Sequence, residues 1–159
     1  MTLRPSAQHR SDAARGDYVA LWIGGQLFGV PILQVGDVFA PGAITRVPMA
    51  GSDVAGILNL RGRILTAISM RSRLGLPPLP AGHASMAVGV EVGGESYGLI
   101  VDSVGDVLSL DETTYDTNPA NLDPLWARVS AGVHRLEGRL MVVLDVDRLL
   151  APEPGMRAA

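Results

Sequence analysis

At 159 residues, 47% of them hydrophobic, the chain holds enough apolar material for one domain or two small subdomains sharing a core. It has no cysteine and no lysine, which excludes disulfides, thiolate metal sites, a Walker A loop and Schiff-base chemistry. A net charge of −3 argues against a phosphate-driven nucleic-acid binder.

Charge is unevenly spread. Residues 1–80 carry a net +4 and residues 81–159 a net −7. Two readings are open: both faces are simply solvated, or the two halves meet different partners.

Residues 1–17 contain three arginines, Pro5 and no apolar run. This stretch lacks the core of a signal peptide and reads as a disordered tail. No apolar run in the chain approaches the roughly 20 residues needed to span a bilayer, so a soluble cytoplasmic protein is expected.

From Val19 the pattern becomes strand-like. Val19 to Val38 contains Gly24-Gly25, Gly29 and Val35-Gly36-Asp37-Val38, and the same arrangement returns 69 positions later with Gly93-Gly94, Gly98 and Val104-Gly105-Asp106-Val107. Paired glycines between apolar runs predict tight hairpins. A second repeat follows. Val54 to Leu74, centred on Asn59-Leu60-Arg61-Gly62-Arg63, returns 76 positions later as Ser130 to Leu150, with Gly56 matching Gly132, Gly62 matching Gly138 and Arg63 matching Arg139. Each copy predicts a hairpin and then a short helix, with Ser69 and Asp145 in equivalent positions as N-caps.

The difference between the two offsets leaves seven extra residues in the second half, around Asp116 to Trp126. Asn118-Pro119 and Asp123-Pro124 mark turns there, and Leu125 to Val129 suits a short helical turn. Gly75 to Gly82 is a Pro/Gly-rich linker closing the first half. The predicted division is a tail at 1–17, a first repeat at 18–80, a second at 81–151 and a loose tail at 152–159. The fold class is all-β: two small five-stranded barrels, one per repeat, on a shared core, with strand exchange between them left open.

Catalytic chemistry is hard to find. His9, His83 and His134 fall in a tail, a linker and a strand without metal-ligand spacing. His134 reads as a surface or satisfied core residue. Gly51-Ser52-Asp53 lacks the second glycine of a nucleophile elbow. Asp106 recurs as Asp37 and Asp145 is a cap, so these acids, with Asp102 and Asp147, are better explained by turns and caps than by acid–base work.

The Asn59-Leu60-Arg61-Gly62 segment after Val54-Ala-Gly-Ile-Leu, with Arg71 beyond it, resembles the CheW family of chemotaxis coupling proteins. The likeness runs from about Tyr18 to Leu150 and includes the Gly29 strand, Val35 to Val38 and Gly138-Arg139. It implies two SH3-like five-stranded barrels packed together, in agreement with the repeats, and a non-enzymatic adaptor without a cofactor. The implied partners are chemoreceptor cytoplasmic tips and the regulatory domain of the histidine kinase CheA. The implied place is cytoplasmic, beneath the inner membrane, reached only through receptors.

Residue by residue, Arg61 matches the family's motif arginine, and Asp37 an acidic position that is usually glutamate. We expect these two to pair, orienting the guanidinium toward a partner. The expected receptor-side surface comprises Val35, Asp37, Val38, Ile57, Asn59, Arg61 and Gly62, with core packing the plain alternative for the three apolar members. The sequence departs from relatives at Asp37, one methylene short, and at Thr66-Ala-Ile-Ser-Met-Arg71, where Ser69 keeps the cap. Three other functions stay in view: an adaptor for pilus motility or another output, an enzyme using Asp106, His134 or Asp145 in the inter-barrel crevice, and a nucleic-acid binder on Arg61, Arg63, Arg71 and Arg73.

Overall fold

A computed structural model describes residues 14–46, 53–80 and 82–151. The predicted tails at 1–17 and 152–159 therefore lie almost wholly outside the described residues. Among the described residues eleven strands form two sheets. The first half supplies β1 (Gly16–Ile23), β2 (Gln26–Pro31), a 3-10 turn (Ile32–Gln34), β3 (Val35–Phe39), β4 (Val54–Leu60), β5 (Arg63–Ser69) and helix α1 (Met70–Arg73). The second supplies β6 (Met86–Val92), β7 (Glu95–Val101), β8 (Ser103–Leu110), β9 (Tyr115–Asp116), α2 (Pro124–Val129), β10 (Ser130–Leu136), β11 (Arg139–Leu144) and α3 (Val146–Leu150). Strand for strand, the halves match the 69- and 76-residue repeats.

The sheets do not follow the halves. One runs β8-β1-β2-β11-β10-β9 and the other β3-β6-β7-β5-β4. Each Gly-Gly hairpin is flanked on both sides by strands from the opposite repeat, antiparallel on one side and parallel on the other. The expectation of one barrel per repeat, divided at 80/81, is corrected by this pairing. We call the first sheet barrel A and the second barrel B. The two orders are equivalent position by position, with Thr45, bridged to Ile57, standing where β9 stands in the other sheet.

Strand β1 shows why the apolar runs are continuous rather than alternating. Val19, Leu21 and Ile23 face the core shared between barrels, while Tyr18 and Ala20 face the interior of barrel A. A strand buried on both faces has no polar side. The shared core is the largest, joining Phe28, Val30, Val88, Val90, Leu99, Val133, Val142 and Leu149 across both sheets. Each barrel keeps a small interior of its own, Leu58, Leu65 and Ala67 in barrel B.

Local chemistry fixes the ends. Ser69 Oγ accepts from the Ser72 amide at 3.2 Å, and Asp145 Oδ1 from the Arg148 amide at 3.2 Å, as their cap positions require. Asp123 caps α2, accepting from the Leu125 amide at 2.8 Å, with Pro124 in the first turn. Trp126 on α2 lies edge-on to Phe28, centroids 5.4 Å apart, and donates its indole N–H to the Leu74 carbonyl at 2.9 Å. The inserted helix thus seals one face of barrel A.

Candidate protein-interaction surface

The β4–β5 hairpin turns on Arg61 and Gly62, at φ of 51° and 86°. Positive φ at both central residues is the geometry that suits the right-handed twist of a two-residue hairpin. Glycine adopts it freely; arginine does so at a cost of roughly 1 kcal/mol. Among the described residues Arg61 is the one non-glycine with positive φ. Asn59 holds the turn, its Oδ1 accepting from the Gly62 amide at 2.9 Å. The result is an exposed guanidinium at the tip of a pinned hairpin.

Of the other expected residues, Val35 is half-buried against the shared core, Val38 is exposed on edge strand β3, and Ile57 is half-buried on β4. Strands β3 and β4 lie at opposite ends of the barrel B order. The seven residues therefore fall into two groups, Val35, Asp37 and Val38 on one edge and Ile57, Asn59, Arg61 and Gly62 on the other. The expected Asp37–Arg61 ion pair is absent: among the described residues no ion pair or hydrogen bond joins them. Alternation along β5 sends Arg63, not Arg61, to the groove that Asp37 lines, together with Gly89, Glu91 and Ser96. There Arg63 Nη2 donates to Ser96 Oγ at 2.9 Å.

The arginine patch is likewise divided. Arg71 makes a bidentate pair with Asp102 (Nε–Oδ1 2.8 Å, Nη2–Oδ2 2.7 Å) and donates to the Pro77 carbonyl at 2.8 Å. The Gly24 amide donates to the same carboxylate at 2.8 Å. Arg71, through its hydrogen bonds, holds Asp102 below the usual carboxylate range against the opposing effect of burial, and Arg71 is itself raised. Arg73 pairs with Asp53 at 3.0 Å. Two of the four arginines are thus internal clamps, Arg71 tying α1 to the linker and the β7–β8 turn and Arg73 tying it to Asp53 ahead of β4.

The three residues suspected of catalysis do not converge. His134 is fully buried between Tyr18 and Tyr115, its Nδ1 2.7 Å from Thr114 Oγ1. Asp145 is committed to the α3 cap and to Arg148. Asp106 is exposed on edge strand β8.

Sequence reasoning missed two features. Leu33, in the 3-10 turn, is 97% exposed beside a groove of about 620 Å³ lined by Tyr18, Pro31, Ile32 and Val143 and edged by Asp17, Asp145 and Asp147. Ile64, on the outer face of β5, is 64% exposed. Pro31, which disfavours an uninterrupted strand, was the available signal for Leu33. Ile64 gave none.

A family model described as the CheW-like domain matches residues 17–153. The chain belongs to the CheW-like family. It is 26% identical over 148 residues to the chemotaxis protein CheW of Rhizobium meliloti (strain 1021), covering 93% of this chain and 95% of that one. It is 32% identical over 111 residues to the chemotaxis protein CheW of Thermotoga maritima, covering 67% and 69%. The protein PilI of Pseudomonas aeruginosa is 30% identical over 112 residues, 70% of this chain and 61% of that one. Among solved structures, the scaffolding protein TtCheW of Thermoanaerobacter tengcongensis superposes with a TM-score of 0.73 at 26% identity, covering 82% of this chain and 88% of that one. The two-barrel, all-β architecture is therefore the CheW-like one.

Proposed function

We propose that this chain is a non-enzymatic adaptor coupling chemoreceptor cytoplasmic tips to the regulatory domain of the histidine kinase CheA. The observation that carries the reading is the CheW-like match over residues 17–153, which takes in both barrels. The receptor-side surface in this reading comprises Val38, Asp37, Ile57, Asn59, Arg61 and Gly62, with Val35 supporting it from the core. Arg61 supports it because a strained, exposed guanidinium without structural duty is a cost that function explains. The adaptor works in the cytoplasm, beneath the inner membrane, held there through receptors. Individual contacts are modest, and repetition in an array supplies avidity.

Titration of the wild-type chain with the CheA regulatory domain and with a receptor-tip fragment tests this. Binding of both, with receptor binding selectively lost in folded Arg61→Ala, is the expected result. Failure to bind either overturns the coupling function. The PilI relative favours one second reading, an adaptor of a pilus-linked chemosensory pathway. Preferential binding to the receptor and kinase of such a pathway would select it.

A further inference from the structure

One buried titratable side chain has no part in the interaction surface. His134, on β10, is fully buried, its ring lying between Tyr18 of β1 and Tyr115 of β9 with centroids 5.4 and 5.6 Å away. It stands opposite Tyr115 in the β9–β10 pairing and opposite Met141 in the β10–β11 pairing. Its Nδ1 is 2.7 Å from Thr114 Oγ1. The Asp111 carbonyl, another acceptor for the Thr114 hydroxyl, is 3.4 Å away, so the shorter bond takes the hydroxyl proton and Nδ1 accepts it. The Thr114 carbonyl in turn accepts from the Arg135 amide at 2.7 Å, and the Tyr115 hydroxyl donates to the Ala131 carbonyl at 3.0 Å. Strand β9 has two residues and ends its sheet. An edge this short opens locally unless side chains pin it.

The charges on the elements around the ring are engaged elsewhere. Asp116 of β9 pairs with Arg135, and Glu112 of the β8–β9 turn pairs with Arg15, both at the surface. Asp111 of the same turn is exposed, and the Thr113 hydroxyl and amide hold its carboxylate below the usual range, with His134 a minor contributor. An imidazolium inside the barrel loses its water, and neither tyrosine rings nor a screened surface carboxylate replaces it. It also carries a proton on Nδ1, so it can no longer accept from Thr114.

We propose that His134 is an acid-sensitive latch: as a neutral imidazole it holds the β8–β9 turn and strand β9 on barrel A, and uptake of a proton releases them. Neutral in the closed barrel, the ring titrates near its ordinary value of about 6.5 once β9 lets go. The closed form is therefore fully favoured above that pH and progressively less so below it. The released segment borders the groove beside Leu33. Glu112 holds Arg15 and Tyr115 holds the Ala131 carbonyl, and Arg15 and Ala131 both line that groove. Opening alters one wall of it, and the latch does not depend on the adaptor reading.

The test follows the full chain by amide hydrogen exchange and by nitrogen spectra of the imidazole, from about pH 7.5 to about pH 5. The Arg135 amide, bonded to the Thr114 carbonyl, is the reporter. Its protection, corrected for intrinsic exchange, should fall about thirtyfold over that range, as an open-state histidine at about 6.5 requires, while the β6 and β7 amides of barrel B keep theirs. His134→Gln retains a neutral acceptor and should abolish the pH dependence. His83→Gln, in the linker, should leave it intact. Unchanged Arg135 protection in wild type refutes the latch. An equal loss in barrel B replaces it with global acid unfolding, and a dependence that survives His134→Gln assigns the effect to another group. Should His134→Gln not fold, the wild-type ring decides: one that takes up its proton while Arg135 stays protected overturns the proposal.

Discussion

Replacing Arg71 by methionine keeps the aliphatic stem and removes the guanidinium. Two charge-assisted hydrogen bonds to Asp102 and one to the Pro77 carbonyl are lost, and the carboxylate keeps only the Gly24 amide. The Arg71 and Asp102 side chains are 18% and 20% exposed, so this pair lies between a surface ion pair, worth about 0–1 kcal/mol, and a buried one, whose breaking costs about 3–5 kcal/mol. We expect a loss of about 2 kcal/mol, or about 4–8 °C in melting temperature for a chain of this size. Urea denaturation followed by circular dichroism measures it, with Arg135→Met as the control, because the Arg135–Asp116 pair is exposed and its loss should shift the midpoint little. The effect depends on pH in a definite direction. The folded-state value of Asp102 is depressed, so its contribution is fully present above about pH 4 and is lost as pH falls through the depressed value. The gap between wild type and Arg71→Met should therefore be wide at pH 7 and narrow toward pH 2. Equal stability of Arg71→Met and Arg135→Met at pH 7, or a gap that widens on acidification, would refute the clamp.

Other outcomes follow from the same geometry. Gly56→Ala would set a Cβ 2.2 Å from the Thr45 carbonyl oxygen at φ 146°, and should cost upwards of about 3 kcal/mol or prevent folding. Gly62→Ala, at φ 86° with nothing within 4 Å, should cost only about 1 kcal/mol by the same denaturation assay. Trp126→Ala removes the cover over Phe28 and the bond to Leu74, for an expected loss of about 3 kcal/mol; a loss below about 1 would mean α2 is not a structural lid. Arg61→Gly relieves positive-φ strain and should raise stability by roughly 1 kcal/mol while abolishing the receptor binding proposed for Arg61. A destabilised Arg61→Gly would show that the arginine supports the hairpin after all.

The elements of this fold are local matters, and the sequence alone determines them. Paired glycines, Arg61-Gly62 and Glu137-Gly138 place the hairpins, Ser69 and Asp145 start the helices, and the 69- and 76-residue offsets declare two copies of one plan. Even the helix in the longer connection is marked by Asp123-Pro124. Which strand lies beside which is another matter. Two halves built on one plan offer similar edges, and no short-range pattern tells β2 to pair with β11 rather than with its own repeat's β5. That choice is made by closing the shared core, where Phe28 and Val30 meet partners from the other half. The same holds at the candidate surface. Motif residues identified Arg61, but only the tertiary structure shows that Arg63, not Arg61, shares the groove that Asp37 lines. Ile64 reads as an ordinary core residue in its strand. Its exposure is a fact about neighbours in space that no residue carries alone.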